Sequence, residues 1–138
     1  MAQPFALIIE DDVDLSEIFK EALVAAGFST EVIRDGQIAQ QRLIEITPSV
    51  VILDLHLPRV SGETLLRQIR SAPHLTKTLV VITTADPLMA DYLRESADFT
   101  LVKPISFVQL RDLAKRLNPE YQTGKFKTVD LSDDDKNE

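Results

Sequence analysis

The chain contains no cysteine among its 138 residues. A disulfide framework, a thiolate metal site and a cysteine nucleophile are therefore excluded. Glycine and proline are sparse, at 4 and 7 residues, and no repeat is present, which removes the fibrous classes. With 44% hydrophobic residues the chain is too rich in Leu, Ile and Val for a disordered protein. Basic charge is also in deficit: 15 Lys and Arg stand against 22 Asp and Glu, a formal net charge of -7. Nucleic-acid binding draws on clustered Lys and Arg, so direct nucleic-acid contact is not expected. Long apolar runs are missing too. The N-terminal MAQPFALIIEDD has no basic segment ahead of its apolar stretch, and that stretch is far too short to span a membrane. The expectation is a single cytoplasmic domain without membrane insertion.

The charge is unevenly placed. Residues 118–138 hold six acids and three lysines, a net of -3, leaving -4 for residues 1–117. This stretch opens with Asn118-Pro119, carries Ser132-Asp133-Asp134-Asp135 and shows little apolar periodicity. It reads as a flexible acidic tail following a domain at 1–117.

Short apolar runs at Phe5–Ile9, Phe28–Ile33, Val50–Leu55, Leu79–Thr83 and Phe99–Val102 alternate with segments of helical period. ALII, VVIL and LVVI are apolar without alternation, as in strands covered on both faces. Leu15, Ile18, Phe19, Ala22, Leu23 and Ala26 form a helical stripe stopped by Gly27. Ala39, Leu43 and Ile46 form a second stripe, closed by Pro48, and Leu65, Leu66 and Ile69 a third, after Gly62. A weaker fourth segment runs from Leu88 to Ser96 behind Pro87. The fifth comprises Phe107, Leu110, Leu113, Ala114 and Leu117, with Ser106 as N-cap. Five strands alternating with five helices predict an α/β doubly wound, five-stranded parallel sheet.

In such sheets ligands bind beyond the carboxyl ends of the strands. Glu10-Asp11-Asp12 follow the first run, Asp54 ends the third, Thr83-Thr84-Ala85-Asp86 follow the fourth and Lys103-Pro104 the fifth. Each is ordinary alone: acids favour helix N-termini, Asp forms turns and Thr is common in strands. Together they bring acids, a hydroxyl and an ammonium to one sheet edge. Two carboxylates ~4 Å apart repel by about 4 kcal/mol at an effective dielectric of about 20. Glu10, Asp11 and Asp54 against Lys103 leave a charge that one divalent cation would neutralise. Oxygen donors without Cys or a His pair suit a hard cation, and Mg²⁺ is best where phosphate is handled. Asp54 could then attack a phosphoryl group, with Lys103 and Thr84 neutralising the transferred oxygens.

IIEDD, VVILDLHLPRVSG, Thr84-Ala85 and LVKP, in this order over about residues 5–117, resemble the receiver domain of two-component response regulators. The 43-residue step from Asp11 to Asp54 is typical, as are Pro58 four and Gly62 eight residues beyond Asp54. The resemblance implies the flavodoxin-like strand order 2-1-3-4-5. It also implies Asp54 as phosphoacceptor, Asp11 as direct Mg²⁺ ligand, Glu10 acting partly through water, and the His56 backbone carbonyl completing the metal shell. Thr84 becomes the switch hydroxyl, Lys103 the phosphate-pairing lysine, and Lys103–Pro104 a cis bond. Asp12 is left a helix-capping or field role, and His56 and Asp86 flank the path of attacking water. The implied donor is a histidine kinase or a histidine phosphotransfer protein, and the implied output a downstream protein partner or a phosphorelay. A homodimer stays open.

Two features depart from the family. The usual aromatic three residues before the lysine is replaced by Thr100, while Phe99 is expected by alternation to point into the core. Thr84 to Lys103 spans 19 residues, so the fourth helix should be shortened by nearly a turn. The reading is a stand-alone receiver, because no output domain fits after Leu117, and not an enzyme beyond its own phosphorylation and dephosphorylation. A phosphorylation-independent interaction or dimerisation module is the alternative. A phosphohydrolase is disfavoured because His56 stands where such enzymes carry a second Asp.

Overall fold

A computed structural model describes residues 3–122. The five strands are β1 (Phe5–Ile9), β2 (Ser29–Ile33), β3 (Val50–Asp54), β4 (Leu79–Thr84) and β5 (Phe99–Val102). They pair in parallel in the order β2-β1-β3-β4-β5, as the sequence implied. The helices are α1 (Val13–Ala25), α2 (Gly36–Glu45), α3 (Gly62–Ser71), α4 (Pro87–Tyr92), α5 (Phe107–Leu117) and α6 (Pro119–Gln122), with a 3-10 turn at Pro73–Leu75.

The unbroken apolar character of β1, β3 and β4 follows from a sheet covered on both sides. Ala6, Ile8, Val50, Ile52 and Val81 face α1 and α5, packing on Phe19, Leu23, Leu110 and Ala114. Their sequence neighbours Leu7, Ile9, Val51, Leu53, Val80 and Ile82 face α2, α3 and α4, packing on Leu43, Leu65 and Ile69. Ile18, expected within the α1 stripe, is instead exposed, because the buried arc of α1 runs through Ser16, Phe19, Ala22 and Leu23.

The helices start where side chains satisfy their first free N–H groups. Asp12, Asp35, Ser61, Asp86 and Ser106 cap α1 to α5, each accepting from a backbone N–H in the first turn. The Asp35 carboxyl is held below the ordinary range by the Ile38 N–H, then by Gln37 N–H and Arg59. Arg59 pairs with Asp35 at 2.7 Å from the β3–α3 loop, where it holds a left-handed φ of 73°. Gly27 ends α1 at φ 96°, a conformation open to a residue without Cβ.

Three expectations change. The fourth helix is short, as its spacing predicted, but it stops at Tyr92, before the expected Ser96, and Leu93–Ser96 continue as turns. Phe99 does not enter the core: β5 is the sheet edge and the ring is 39% exposed, while Thr100 is half-buried. A sixth helix follows α5. Asn118, placed in the tail by sequence, is fully buried, donating from Nδ2 to Ala26 O at 2.9 Å and accepting from Glu120 N at 2.8 Å. The remainder of the expected acidic tail, 123–138, lies outside the described residues. Among the described residues no helix is long and apolar enough to cross a membrane.

Candidate functional site

The site lies at the carboxyl edge of β1, β3 and β5. The Glu10 amide donates to Ile33 O at 3.0 Å, extending the β1–β2 ladder by one residue. Side-chain alternation then turns Glu10 to the α1/α5 side of the sheet, two positions after Ile8, and it is 1% exposed. Asp54 ends β3 two positions after Ile52, on the same side and 2% exposed. Asp11 begins the β1–α1 turn and is exposed. Carboxylate oxygens of Glu10, Asp11 and Asp54 lie within 4.8 Å of one another.

Among the described residues one cation meets this cluster. Lys103 Nζ donates to Glu10 Oε1 at 3.0 Å and to Asp54 Oδ1 at 3.3 Å. Its own amide donates to Thr84 O at 2.7 Å, so the lysine backbone is fixed to the end of β4. The Lys103–Pro104 bond is cis, as the resemblance implied. Asp54 Oδ1 also accepts from the His56 N–H at 3.3 Å, and Glu10 Oε2 from the Asp12 N–H at 3.1 Å. Asp12 itself accepts from Leu15 N at 2.8 Å, which gives it the helix-capping role.

Three carboxylates against one ammonium shape the ionisation. Burial pushes the Glu10 carboxyl above its ordinary pKa, more than the Lys103 and Asp12 hydrogen bonds pull it down. Burial likewise raises Asp54, against the Lys103 charge and the His56 hydrogen bond, with Asp11 adding to the rise. Burial alone would lower Lys103, but the Glu10 hydrogen bond and the charges of Asp54 and Glu10 outweigh it, and its pKa is raised. The resting pocket therefore holds excess negative charge close to buried carboxylates. An all-oxygen donor set with this charge fits a hard divalent cation.

The other expected residues stand further out. The His56 side chain is exposed at the mouth and only its amide touches Asp54. Thr84 is fully buried on the α4 side of β4, and its hydroxyl accepts from the Asp86 N–H at 3.0 Å. The Asp86 carboxylate is engaged in capping α4 at Leu88 N, 3.0 Å away. Thus Glu10, Asp11, Asp54 and Lys103 converge, whereas the Thr84 hydroxyl is bound within its own turn.

Two residues quoted in the sequence have structural roles that it does not reveal. Gly62 brings α3 against the acidic strand: a Cβ there would lie 2.3 Å from Asp54 O and 2.6 Å from Leu55 Cα. Its amide donates to Leu55 O at 3.1 Å, closing the β3–α3 loop under the site. Thr83, the register partner of Asp54 on β4, is fully buried with its hydroxyl lacking a hydrogen-bond partner. Only the strand pairing reveals that neighbour.

Comparison with known proteins agrees with this geometry. The family model of the response regulator receiver domain matches residues 6–115. The phosphate regulon transcriptional regulatory protein PhoB of Rhizobium meliloti is 31% identical over 135 residues, covering 93% of this chain and 60% of that protein. The transcriptional regulatory protein TrcR of Mycobacterium tuberculosis is 35% identical over 106 residues, 75% of this chain and 41% of its own length. The chain thus spans about half the length of these curated relatives. A CheY-like receiver domain structure from Methylobacillus flagellatus superposes with a TM-score of 0.75 at 29% identity, covering 85% of this chain and 100% of that one. Fold, edge cluster and family match coincide over the same residues, and the chain belongs to the response regulator receiver domain family.

Proposed function

We propose that Asp54 accepts a phosphoryl group from a phosphohistidine of a histidine kinase or a histidine phosphotransfer protein. The observation that carries this reading is the burial of Asp54 among Glu10, Asp11 and Lys103, with no other carboxylate of the cluster at a strand end facing the α1/α5 side except Glu10, which Lys103 holds more closely. An Asp54 oxygen attacks phosphorus while the P–N bond of the donor breaks. The imidazole nitrogen leaves with the bonding pair and takes up a proton, and the product is an acyl phosphate.

Mg²⁺ is the cation we assign to Glu10, Asp11, Asp54 and the His56 carbonyl, and when bound it would neutralise charge on the transferred oxygens. Lys103 turns from Asp54 to a phosphoryl oxygen. Thr84, whose Oγ1 accepts from the Asp86 amide and keeps its own O–H as a donor, gives a hydrogen bond to another. Phosphorylation then shifts a two-state equilibrium by making contacts that differ between the states. Output is through binding of a protein partner or onward transfer in a relay, the chain acting as acceptor and not as an enzyme on other substrates. Its net charge of -7 speaks against direct nucleic-acid contact.

Incubation with Mg²⁺ and phosphoramidate, followed by borohydride reduction and peptide mapping, tests the assignment. Reduction of residue 54 to homoserine supports it, and modification at another residue or none refutes it.

One observation favours a second reading, an interaction module independent of phosphorylation. Thr100 replaces the family aromatic, α4 ends at Tyr92, and Leu88, Tyr92, Phe99 and Val102 are exposed on that face with Asp54 unmodified. Amide exchange over residues 85–106 separates the two. A change on addition of Mg²⁺ and beryllofluoride, a phosphoryl mimic, supports the switch, though smaller than in receivers that keep the aromatic. An unchanged pattern selects the constitutive module.

A further inference from the structure

We propose that Thr83 is a positioning residue for the modified state: its buried, unpaired hydroxyl is a donor held for the Asp54 carboxyl oxygen that Lys103 leaves when it turns to the phosphoryl group. This rests on Asp54 being the phosphoacceptor.

The placement comes from the ladder. Asp54 pairs with Thr83 between β3 and β4, and Thr83 pairs with Leu101 between β4 and β5. Paired residues of parallel neighbours sit about 4.8 Å apart with their side chains on one face. That face is the α1/α5 side, because Val81 and Ile52, two positions earlier on each strand, both pack there. Glu10, Asp54, Thr83 and Leu101 therefore form a row across the sheet, with Lys103 one pleat above Leu101. The Leu55 amide donates to Thr83 O at 3.2 Å, tying the two backbones at this level.

The side chain makes little sense for the resting state alone. Thr83 is fully buried and its Oγ1 has no partner, whereas buried polar groups are normally satisfied. The preceding β4 residues are Leu79, Val80, Val81 and Ile82, and valine would fill the Thr83 position with the same shape and no stranded hydroxyl. The strand preference of threonine gives no advantage over valine at such a site. Hydroxyl rotation about Cα–Cβ, by contrast, swings Oγ1 between staggered positions without moving the backbone. In the resting pocket Asp54 Oδ1 already accepts from Lys103 and His56. Conversion to the acyl phosphate removes the carboxylate charge, draws Lys103 away and leaves the acyl carbonyl oxygen beside this row. A neutral hydroxyl can then donate where an ammonium no longer does.

The test compares Thr83→Val and Thr83→Ser in the whole chain. Without metal, the valine variant should unfold at a urea concentration equal to or above that of wild type. With Mg²⁺ and beryllofluoride, it should bind the mimic roughly tenfold more weakly, a difference the size of one hydrogen bond. Its acyl phosphate should be shortened in lifetime to a similar degree, and the serine variant should stay within about twofold of wild type in both. Equal binding of beryllofluoride by wild type and the valine variant overturns the inference while leaving Asp54 as acceptor. So does equal weakening in both variants, which would assign the effect to methyl packing, or a resting valine variant less stable than wild type. If wild type takes up neither beryllofluoride nor phosphoryl group, the reading of Asp54 fails and the role of Thr83 falls with it.

Discussion

Lys103 Nζ lies 3.0 Å from Glu10 and 3.3 Å from Asp54, so in the resting protein one ammonium bridges two carboxylates that are almost fully buried. Removing the ammonium leaves the buried carboxylates uncompensated, at a cost of about 3 kcal/mol. Lys103→Met should therefore lose about that much stability at pH 7 in urea unfolding. The loss should shrink at a lower pH, once the two carboxyls, raised by burial, take up protons and no longer need the ammonium. An equal loss at both pH values would mean that the methylene stem of Lys103, and not its charge, supports the pocket.

The raised carboxyl pKa values set the sign of a second pH effect. Glu10 and Asp54 hold protons in the folded chain at pH values where the unfolded chain has released them. Their contribution is full below about pH 4 and is lost as pH rises through the folded values. Above the folded values the metal-free protein carries the full electrostatic cost. Asp54→Asn removes one charge at nearly constant shape, so it should raise stability at pH 7 by about 1 kcal/mol. The gain should close towards pH 4 and also on adding Mg²⁺ to the wild type. Thermal melts across pH, with and without Mg²⁺, read this directly, and a destabilised Asp54→Asn variant at pH 7 would reverse the sign.

Gly62 is the steric condition of the site. A methyl group there meets Asp54 O at 2.3 Å, and both partners of the clash are backbone. Gly62→Ala must displace the β3–α3 loop or the end of β3, at a cost of about 2 kcal/mol or more. Urea unfolding should show that loss, and Mg²⁺ affinity should fall with it because Asp54 moves. An alanine variant with wild-type stability would mean the loop yields freely.

At the opposite end, Asn118 joins α5 and α6 to the end of α1. Asn118→Ala removes the hydrogen bonds to the Ala26 carbonyl and from the Glu120 amide and should cost about 1–3 kcal/mol. Phosphoryl uptake at Asp54 should be unchanged, since no contact links the two ends. Stability equal to wild type would return Asn118 to the tail.

Much of this architecture is written in local pattern. The central strands announce themselves as uninterrupted apolar runs because each buries both faces, and Ser106 and Gly27 mark helix ends through their own backbone chemistry. The convergence of Glu10, Asp11, Asp54 and Lys103 follows from a parallel sheet, whose strand ends share one edge. Phe99 misleads because alternation cannot tell a buried face from the open face of an edge strand. Asn118-Pro119 reads as a break, yet proline is also at home in the first turn of a helix, as in α6. The roles of Thr83 and Gly62 are hidden for a different reason. Their significance lies in register and approach distance, which no residue pattern within one segment encodes.

The central claim is that Asp54 takes a phosphoryl group in this pocket. Intact-mass measurement after incubation with Mg²⁺ and a small phosphodonor tests it most directly, run on wild type, Asp54→Asn and wild type in excess chelator. The account predicts the gain of a single phosphoryl group by wild type with Mg²⁺ and none in the other two samples. An unmodified wild type, or a gain that persists in Asp54→Asn, would contradict it.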